Sequence, residues 1–388
     1  MLVGVFFEFL RLGVSAFGGP VAHLGYFRRT FVERLRWIDD PAFAEIIALC
    51  NLLPGPTSSQ VGIIIGTLRA RALGGLAAWV AFTTPSAVLL AAFAYGVPFL
   101  SGRASGVVHG LIVAAVAVVA SAVIDMRRAL CPDRLRRGIA IVCAAIALSS
   151  DKFAAQLVVL VLGAIVGLSF LRGLPAPEPV ELDLGISRRA GLCAAIAFTA
   201  VLIASSLLGP ASHDPALGIF AAFFRTGSLV FGGGHVVLPL LQAEVVPRGF
   251  LANDRFLAGY GAAQAVPGPL FTFASYLGAA MRWPLQGPLG ALVATVAIFS
   301  PSFLLIAAIA PFWRDVRRSP SWAAALRGIN AAVVGLLFAA FIDPVVENGI
   351  HSPLDVGLAV AAFVLLRLLR WPPWSVVACS GLAGWLGA

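Results

Sequence analysis

Two arginines stand inside apolar runs at matching places in the chain. Arg11 and Arg225 each precede a glycine pair by seven residues, Gly18-Gly19 and Gly232-Gly233. Seven residues are nearly two helical turns, so arginine and glycines share a face. A charged side chain at a bilayer centre costs about 2.5–3.5 kcal/mol on insertion scales, so each arginine is expected to face protein or a water-filled cavity. A guanidinium also fits a tetrahedral oxyanion. The competing assignment for both is an interhelical ion pair. Arg11 has Glu8 within one turn, whereas Arg225 has Ala222 there and needs a counter-charge from elsewhere.

A second set of donors surrounds two Pro-Gly-Pro elements. Glycine followed by proline starts a helix, and both Gly19-Pro20 and Gly55-Pro56 have this form beside or inside apolar segments. A helix start leaves backbone N–H groups unpaired and carries partial positive charge, which favours anions. Thr57, Ser58 and Ser59 add hydroxyls in the first turn, and Gln60 adds an amide. Donors without a fixed charge suit an anion that must be released again. The competing role of these glycines and prolines is to kink helices for packing. The second copy, Pro267-Gly268-Pro269 followed by Leu270-Phe271-Thr272, is poorer in donors and is expected to form a gate or wall.

Three further groups could titrate or pair. His23 follows a Pro20-started turn and could contact an anion or carry a proton, or simply satisfy an interface. His235 stands in a different register and supports this less. Glu45, in the otherwise apolar run 42–53, is the proton-coupling candidate, with a salt bridge to an arginine as the alternative. Asp125 and Asp343 end matched segments and read as packing or topogenic charges.

These residues must be positioned by membrane helices. The 388 residues are 60% hydrophobic and 12% charged, against about 25% charged in an ordinary soluble domain. That composition excludes a soluble enzyme, a nucleic-acid binder and a disordered chain. Spanning a bilayer takes about 20 apolar residues. Runs of that kind lie near 2–19, 43–68, 73–98, 105–124, 138–150, 153–171, 190–208, 216–234, 256–281, 287–311, 322–342, 354–369 and 372–387. The expected fold is therefore an all-α polytopic membrane protein of about 13 segments, broken at its Gly/Pro motifs and almost free of strand.

The chain also repeats itself. Phe17-Gly18-Gly19-Pro20 recurs as Phe231-Gly232-Gly233-Gly234, and Leu53-Pro54-Gly55-Pro56 as Val266-Pro267-Gly268-Pro269. Thr84-Pro85-Ser86 recurs as Ser300-Pro301-Ser302, and Ile124-Asp125 as Ile342-Asp343, at offsets between 213 and 218. Features in the same order mean duplication, and Gly/Pro-interrupted segments in corresponding positions point to a secondary transporter. The expected division is a repeat over 1–171, a Pro-rich linker with one extra helix over 172–215, and a second repeat over 216–388.

Basic residues in short loops orient such a chain. With 13 crossings, 17 basic residues fall on the N-terminal side, seven on the other and three inside segments. The N-terminus is then cytoplasmic, the C-terminus outside, and the halves antiparallel. If instead 43–68 and 256–281 are re-entrant at Pro-Gly-Pro, the halves become parallel, with the same charge count. The N-terminus lacks the basic start and cleavage pattern of a signal peptide. Five scattered cysteines form no CxxC or Cys/His cluster, so no metal, cofactor or disulfide framework is expected. The single lysine, Lys152, belongs to no Walker motif, so the chain is not expected to be an ATPase.

The assembled motifs resemble the chromate transporter family in its long, two-repeat form. The resemblance is carried by Phe17-Gly18-Gly19-Pro20 with His23 and Gly25-Tyr26-Phe27, by Leu53 to Gly62, and by Phe231 to His235 with Val266 to Pro269. It implies export of chromate across the bacterial inner membrane, giving chromate resistance, with sulfate as the close analogue. It also implies 13 segments and oppositely oriented halves. Chromate or a sulfate-like anion and the lipid bilayer are the expected partners. Nucleic acid is not expected, and a homo-oligomer stays open. The alternative is an uptake permease or channel for sulfate or another oxyanion.

Overall fold

The structure is a computed structural model, and it describes residues 1–17, 19–96, 103–149, 153–172, 182–207, 215–231, 234–281 and 287–387. Gly18, Gly232, Gly233 and the Pro-rich stretch 174–179 lie outside the described residues. Within them every regular element is helical. The first half comprises α1 (Leu2–Ser15), α2 (Gly19–Phe27), α3 (Asp40–Leu52), α4 (Thr57–Gly96), α5 (Arg103–Leu130), α6 (Arg134–Leu148) and α7 (Phe153–Phe170). After α8 (Arg188–Leu207) come α9 (Pro215–Leu229), α10 (Val237–Val245), α11 (Asn253–Ala265), α12 (Phe273–Ala280) and α13 (Gly287–Ile309). The chain ends with α14 (Trp313–Arg317), α15 (Pro320–Ala340), α16 (Glu347–Gly349), α17 (Pro353–Arg367) and α18 (Pro373–Gly387).

Local chemistry starts these helices. Asp39 caps α3 by accepting from the Ala42 N–H, with Pro41 in the first turn. Ser352 and Asp355 close a reciprocal capping box on α17.

The Gly/Pro motifs turn the chain back on itself. Phe9 of α1 packs its ring on Phe27 (5.7 Å) and Phe31 (4.8 Å), and Glu8 pairs with Arg34, so α1 and α2 form a hairpin. Phe273, just after the second Pro-Gly-Pro, packs on Phe256 (5.1 Å) and Tyr260 (5.8 Å), making α11 and α12 a hairpin too. The long α4 is itself two antiparallel arms, broken where Arg71 adopts φ 57°. There Gly66 and Gly74 meet so closely that an ideal Cβ on Gly66 would lie 2.4 Å from the Gly74 carbonyl oxygen. In the second half Gly278 and Gly290 meet in the same way.

Helix length separates the crossing elements from the rest. At about 1.5 Å per residue, the 13 residues of α3 reach only about 20 Å, short of an apolar core about 30 Å thick. Segments 43–68 and 256–281 are therefore pairs of short helices about Pro-Gly-Pro rather than single crossings. Five stretches are long and apolar enough to cross: 57–96, Gly106–Leu130, Arg188–Leu207, Gly287–Val316 and Pro320–Gly349. The first of them contains the α4 hairpin. Ala155–Phe170, Ala216–Leu229 and Leu270–Ala280 are apolar but shorter. The chain is an all-α polytopic membrane protein, and the helix lengths do not give thirteen full crossings. Leu192, Ile196 and Ile203 of α8 are each more than half exposed, as lipid-facing side chains would be.

The halves interleave. α5 packs along α17 and α18, while α15 packs along α6 and α7. The second arm of α4 runs antiparallel to α13, with Trp79 against Phe299 and Phe303 at one end and Tyr95 beside Gly287 at the other. Glycine makes these approaches close, as is usual where lipid supplies no hydrophobic drive between helices. An ideal Cβ on Gly328 would lie 1.9 Å from the Gly163 carbonyl oxygen, whereas one on Gly357 would meet nothing within 4 Å. Overpacking costs about 1–3 kcal/mol. Gly328→Leu is expected to lower the melting temperature of the detergent-solubilised protein by several degrees, while Gly357→Ala leaves it unchanged or raised.

Candidate functional site

The four breaks in the chain meet in pairs, each pair joining one half to the other. The Gly55 N–H donates to the Val230 carbonyl (2.7 Å), and the Gly268 N–H donates to the Ala16 carbonyl (2.9 Å). Each Pro-Gly-Pro turn thus satisfies a carbonyl at the end of the other half's first helix, a group the helix cannot pair internally. Gly55 and Gly268 adopt φ 117° and 107°, a region that favours glycine. There is no room for a side chain either. An ideal Cβ would fall 2.8 Å from Ser302 Oγ at Gly55 and 2.7 Å from Ser86 Oγ at Gly268. Ser86 and Ser302 end the duplicated Thr-Pro-Ser and Ser-Pro-Ser motifs. Their repeat spacing was visible in the sequence, but nothing there said they would press on the opposite half's glycine.

The first-half donors gather at this crossing. Ser58, Ser59 and Gln60 are buried, and Thr57 is half-buried. His23 is fully buried, with Nε2 3.1 Å from the Ala16 carbonyl and Nδ1 3.2 Å from Ser58 Oγ. A carbonyl only accepts, so Nε2 carries a proton and a neutral ring accepts from Ser58 at Nδ1. The Gln60 amide donates to the Pro54 carbonyl (2.7 Å) and to Ser302 (3.3 Å). His23 and Ser58 thus form one polar group with the Ala16 carbonyl, and Gln60 with Pro54 and Ser302 forms a second beside Gly55. Ser59 Oγ and Gln60 Oε1 are buried with no hydrogen-bond partner, as is Thr226 Oγ1 on α9. Gly19 begins α2 in the left-handed region, at φ 75°.

The two arginines, matched in sequence, differ in place. Arg11 is exposed on the outer face of α1. Arg225 is 3% exposed and grips Glu244 with two bonds, Nε to Oε1 (2.8 Å) and Nη2 to Oε2 (2.7 Å), while Arg248 reaches the same carboxylate at 2.9 Å. Its third donor goes to the Ser205 carbonyl. Arg225 is thus the interhelical ion pair that was the competing assignment, standing apart from the donor network around His23. Sequence reasoning missed Glu244 because it lies 19 residues away on another helix. Glu45 is buried and accepts from the Trp313 indole N–H (2.6 Å), a partner from the other half. Asp125 pairs with Arg367.

Beside the crossing lies a cavity of about 360 Å³, whose wall includes Gly19, Gly234, His235, Gln264 and Gly268. Glycines from both halves thus open onto one space. Among the described residues no group of three His, Cys, Asp or Glu side chains is placed to hold a metal ion.

The profile of the chromate transporter family matches residues 3–168 and again 217–385. The chain is 31% identical to a chromate transport protein of Pseudomonas aeruginosa, over 98% of this chain and 91% of that one. It is 29% identical to a chromate transport protein of Cupriavidus metallidurans, over 97% and 90%. An uncharacterised transporter of Methanocaldococcus jannaschii is 24% identical over 88% and 83%. No solved structure matches the chain.

Removing one partner of a buried ion pair costs about 3–5 kcal/mol, whereas replacing both with apolar residues is often neutral. Arg225→Ala is expected to reduce the folded yield and thermal stability sharply. The double variant Arg225→Met with Glu244→Leu should recover most of that loss, read by melting the purified protein.

Proposed function

The chain belongs to the chromate transporter family, and from that premise we propose that it exports chromate, or a related tetrahedral dianion, from the cytoplasm as a secondary transporter. It is a multi-pass protein of the bacterial inner membrane. The observation that carries this reading is the crossing of the two Pro-Gly-Pro turns, where broken helices, glycines and uncharged donors converge. Broken helices meeting between repeats are where secondary transporters bind substrate and ions. Gly55, Gly268, Thr57, Ser58, Ser59 and Gln60, with Gly18, Gly19, Gly232 and Gly233, are the substrate-binding set. His23 holds Ser58 in place. Arg11 acts at the approach, and Arg225 fixes the helix that ends at the crossing.

The halves 1–171 and 216–388 are inverted about this crossing, and 172–215 links them. Two observations support this. The second arm of α4 and its counterpart α13 run antiparallel. In addition, α1 with α2 turns back as the Pro-Gly-Pro segments do, and a first half that loses both as crossings keeps the antiparallel arrangement. Arg34, Arg69, Arg71, Arg188 and Arg314 fall at the end where the first-half hairpins open, against Arg248 and Arg255 at the other. The excess of basic residues marks the cytoplasmic side. The N-terminus is therefore inside and the C-terminus outside.

Direction follows from charge. At 100 mV, inside negative, a departing dianion gains about 4.6 kcal/mol, at about 2.3 kcal/mol per charge. Uptake would need that energy from coupled cations. Glu45, the proton-coupling candidate, links the two halves through Trp313.

Everted vesicles are expected to accumulate labelled chromate, with sulfate competing. Accumulation only in right-side-out vesicles would establish the uptake permease instead. Glu45→Gln should weaken the response of uptake to an imposed pH gradient. A reporter fused after Ala388 should be active only in the periplasm, and a cytoplasmic signal would refute the inverted topology.

A further inference from the structure

The two halves treat their donors differently. At the first-half turn His23 is spent on Ser58 and the Ala16 carbonyl, and the Gln60 amide on the Pro54 carbonyl and Ser302. On the second half His235 and Gln264 stand in the wall of the 360 Å³ cavity, joined through a single hydroxyl. His235 Nδ1 is 2.9 Å from Tyr260 Oη. Gln264 lies one turn beyond Tyr260 on α11, with its amide beside the same hydroxyl. The amide nitrogen is buried there without a hydrogen-bond partner. Ser121 and Asp125 of α5 also line the cavity, and Asp125 is paired with Arg367.

Counting protons shows what this chain of three groups can present. The Tyr260 hydroxyl has one proton to give and accepts from its neighbours. With a neutral imidazole, Tyr260 either donates to Nδ1 and accepts one amide N–H of Gln264, which leaves the Nε2 proton and the second amide N–H with no positive charge beside them, or accepts from Nδ1 and donates to Gln264. In the second case a half-turn of the amide sets Oε1 on the hydroxyl and its NH₂ towards the cavity, but Nε2 of the ring is then a bare acceptor. Only the imidazolium gives both together with a positive charge. Nδ1–H donates to Tyr260, Tyr260 donates to Gln264 Oε1, and the Nε2–H and the amide NH₂ both point into the cavity. A dianion favours that arrangement, because it gains two donors and one positive charge. The titratable and charged groups facing His235 are Tyr260 on α11 and Asp125 on α5, the latter held by Arg367.

We propose that this cavity is the cytoplasm-facing oxyanion site, with His235, Gln264 and Ser121 as its donors, and that the dianion binds together with one proton taken from solvent onto His235 Nε2. The inference rests on the transporter reading above and adds to it a site and a proton count. The bound charge falls from two to one, which eases passage through an apolar protein and halves the electrical gain of export while leaving its direction unchanged. The positive charge disappears when the proton leaves, so release needs no fixed cation to be overcome.

The test is proton uptake on binding. Purified full-length protein in weakly buffered detergent is mixed with chromate at a mildly alkaline pH, where free chromate is the unprotonated dianion, and bound chromate and pH are followed together. Wild type is expected to take up one proton per chromate bound. His235→Gln should bind more weakly with no proton uptake. Tyr260→Phe, which removes only the hydroxyl, should lower the proton count at an unchanged melting temperature. Gln264→Glu, nearly isosteric, should weaken binding about tenfold or more, as loss of a hydrogen bond to a charged group does. Binding by wild type without proton uptake, or unchanged uptake in His235→Gln, would overturn the inference while chromate transport in vesicles leaves the transporter reading standing. If wild type neither binds nor transports chromate, both fall.

Discussion

Two backbone hydrogen bonds hold the architecture together. The Gly55 N–H on the Val230 carbonyl and the Gly268 N–H on the Ala16 carbonyl close helix ends that neither half can close for itself. Inside a bilayer an unpaired backbone group has no water to turn to, and irregular backbone survives there only when buried in protein or lining a cavity. The pairing therefore makes the halves interdependent. It also explains the positive φ of both glycines and the absence of space beside them, since a serine from the opposite half fills the position a Cβ would take. The interleaving of α5 with α17 and α18, and of α15 with α6 and α7, extends the same dependence outward.

Charge and polarity are kept apart. Arg225 and Glu244, both buried, neutralise each other on α9 and α10. A buried pair of this kind adds little net stability but is expensive to break, so it fixes which helices lie together. At the crossing the polar groups are hydroxyls, amides and imidazoles. Such groups bind an anion by hydrogen bonds and release it without pulling apart opposite charges. Buried hydroxyls without partners, Ser59 and Thr226, mark where this network is least satisfied within the protein.

How much was legible beforehand depends on the range of the interaction. Gly19-Pro20 and Gly55-Pro56 announced helix starts, and α2 and α4 begin at Gly19 and Thr57. Glu45 was legible as a buried carboxylate in an apolar helix, but its partner Trp313 was not, being 268 residues away. Arg11 and Arg225 looked equivalent because their spacing to glycine is the same. One is exposed and the other is buried against Glu244, because the surroundings of a helix face are set by the helices packed on it. His235, discounted for its register, stands in the cavity wall because the short helical turn at Gly234–Val236 turns it there.

The sequence by itself determined the membrane setting, the helical class, the duplicated motifs and the positions of the breaks. These follow from composition and from the local conformational preferences of glycine and proline. Only the tertiary structure decided that the broken segments are hairpins, that each turn is completed by the other half, and which polar groups share a space. Hydropathy measures how apolar a segment is, and it does not register whether the chain crosses or turns back at its middle. That choice is made by partners for the backbone at the break, and those partners lie more than 150 residues away.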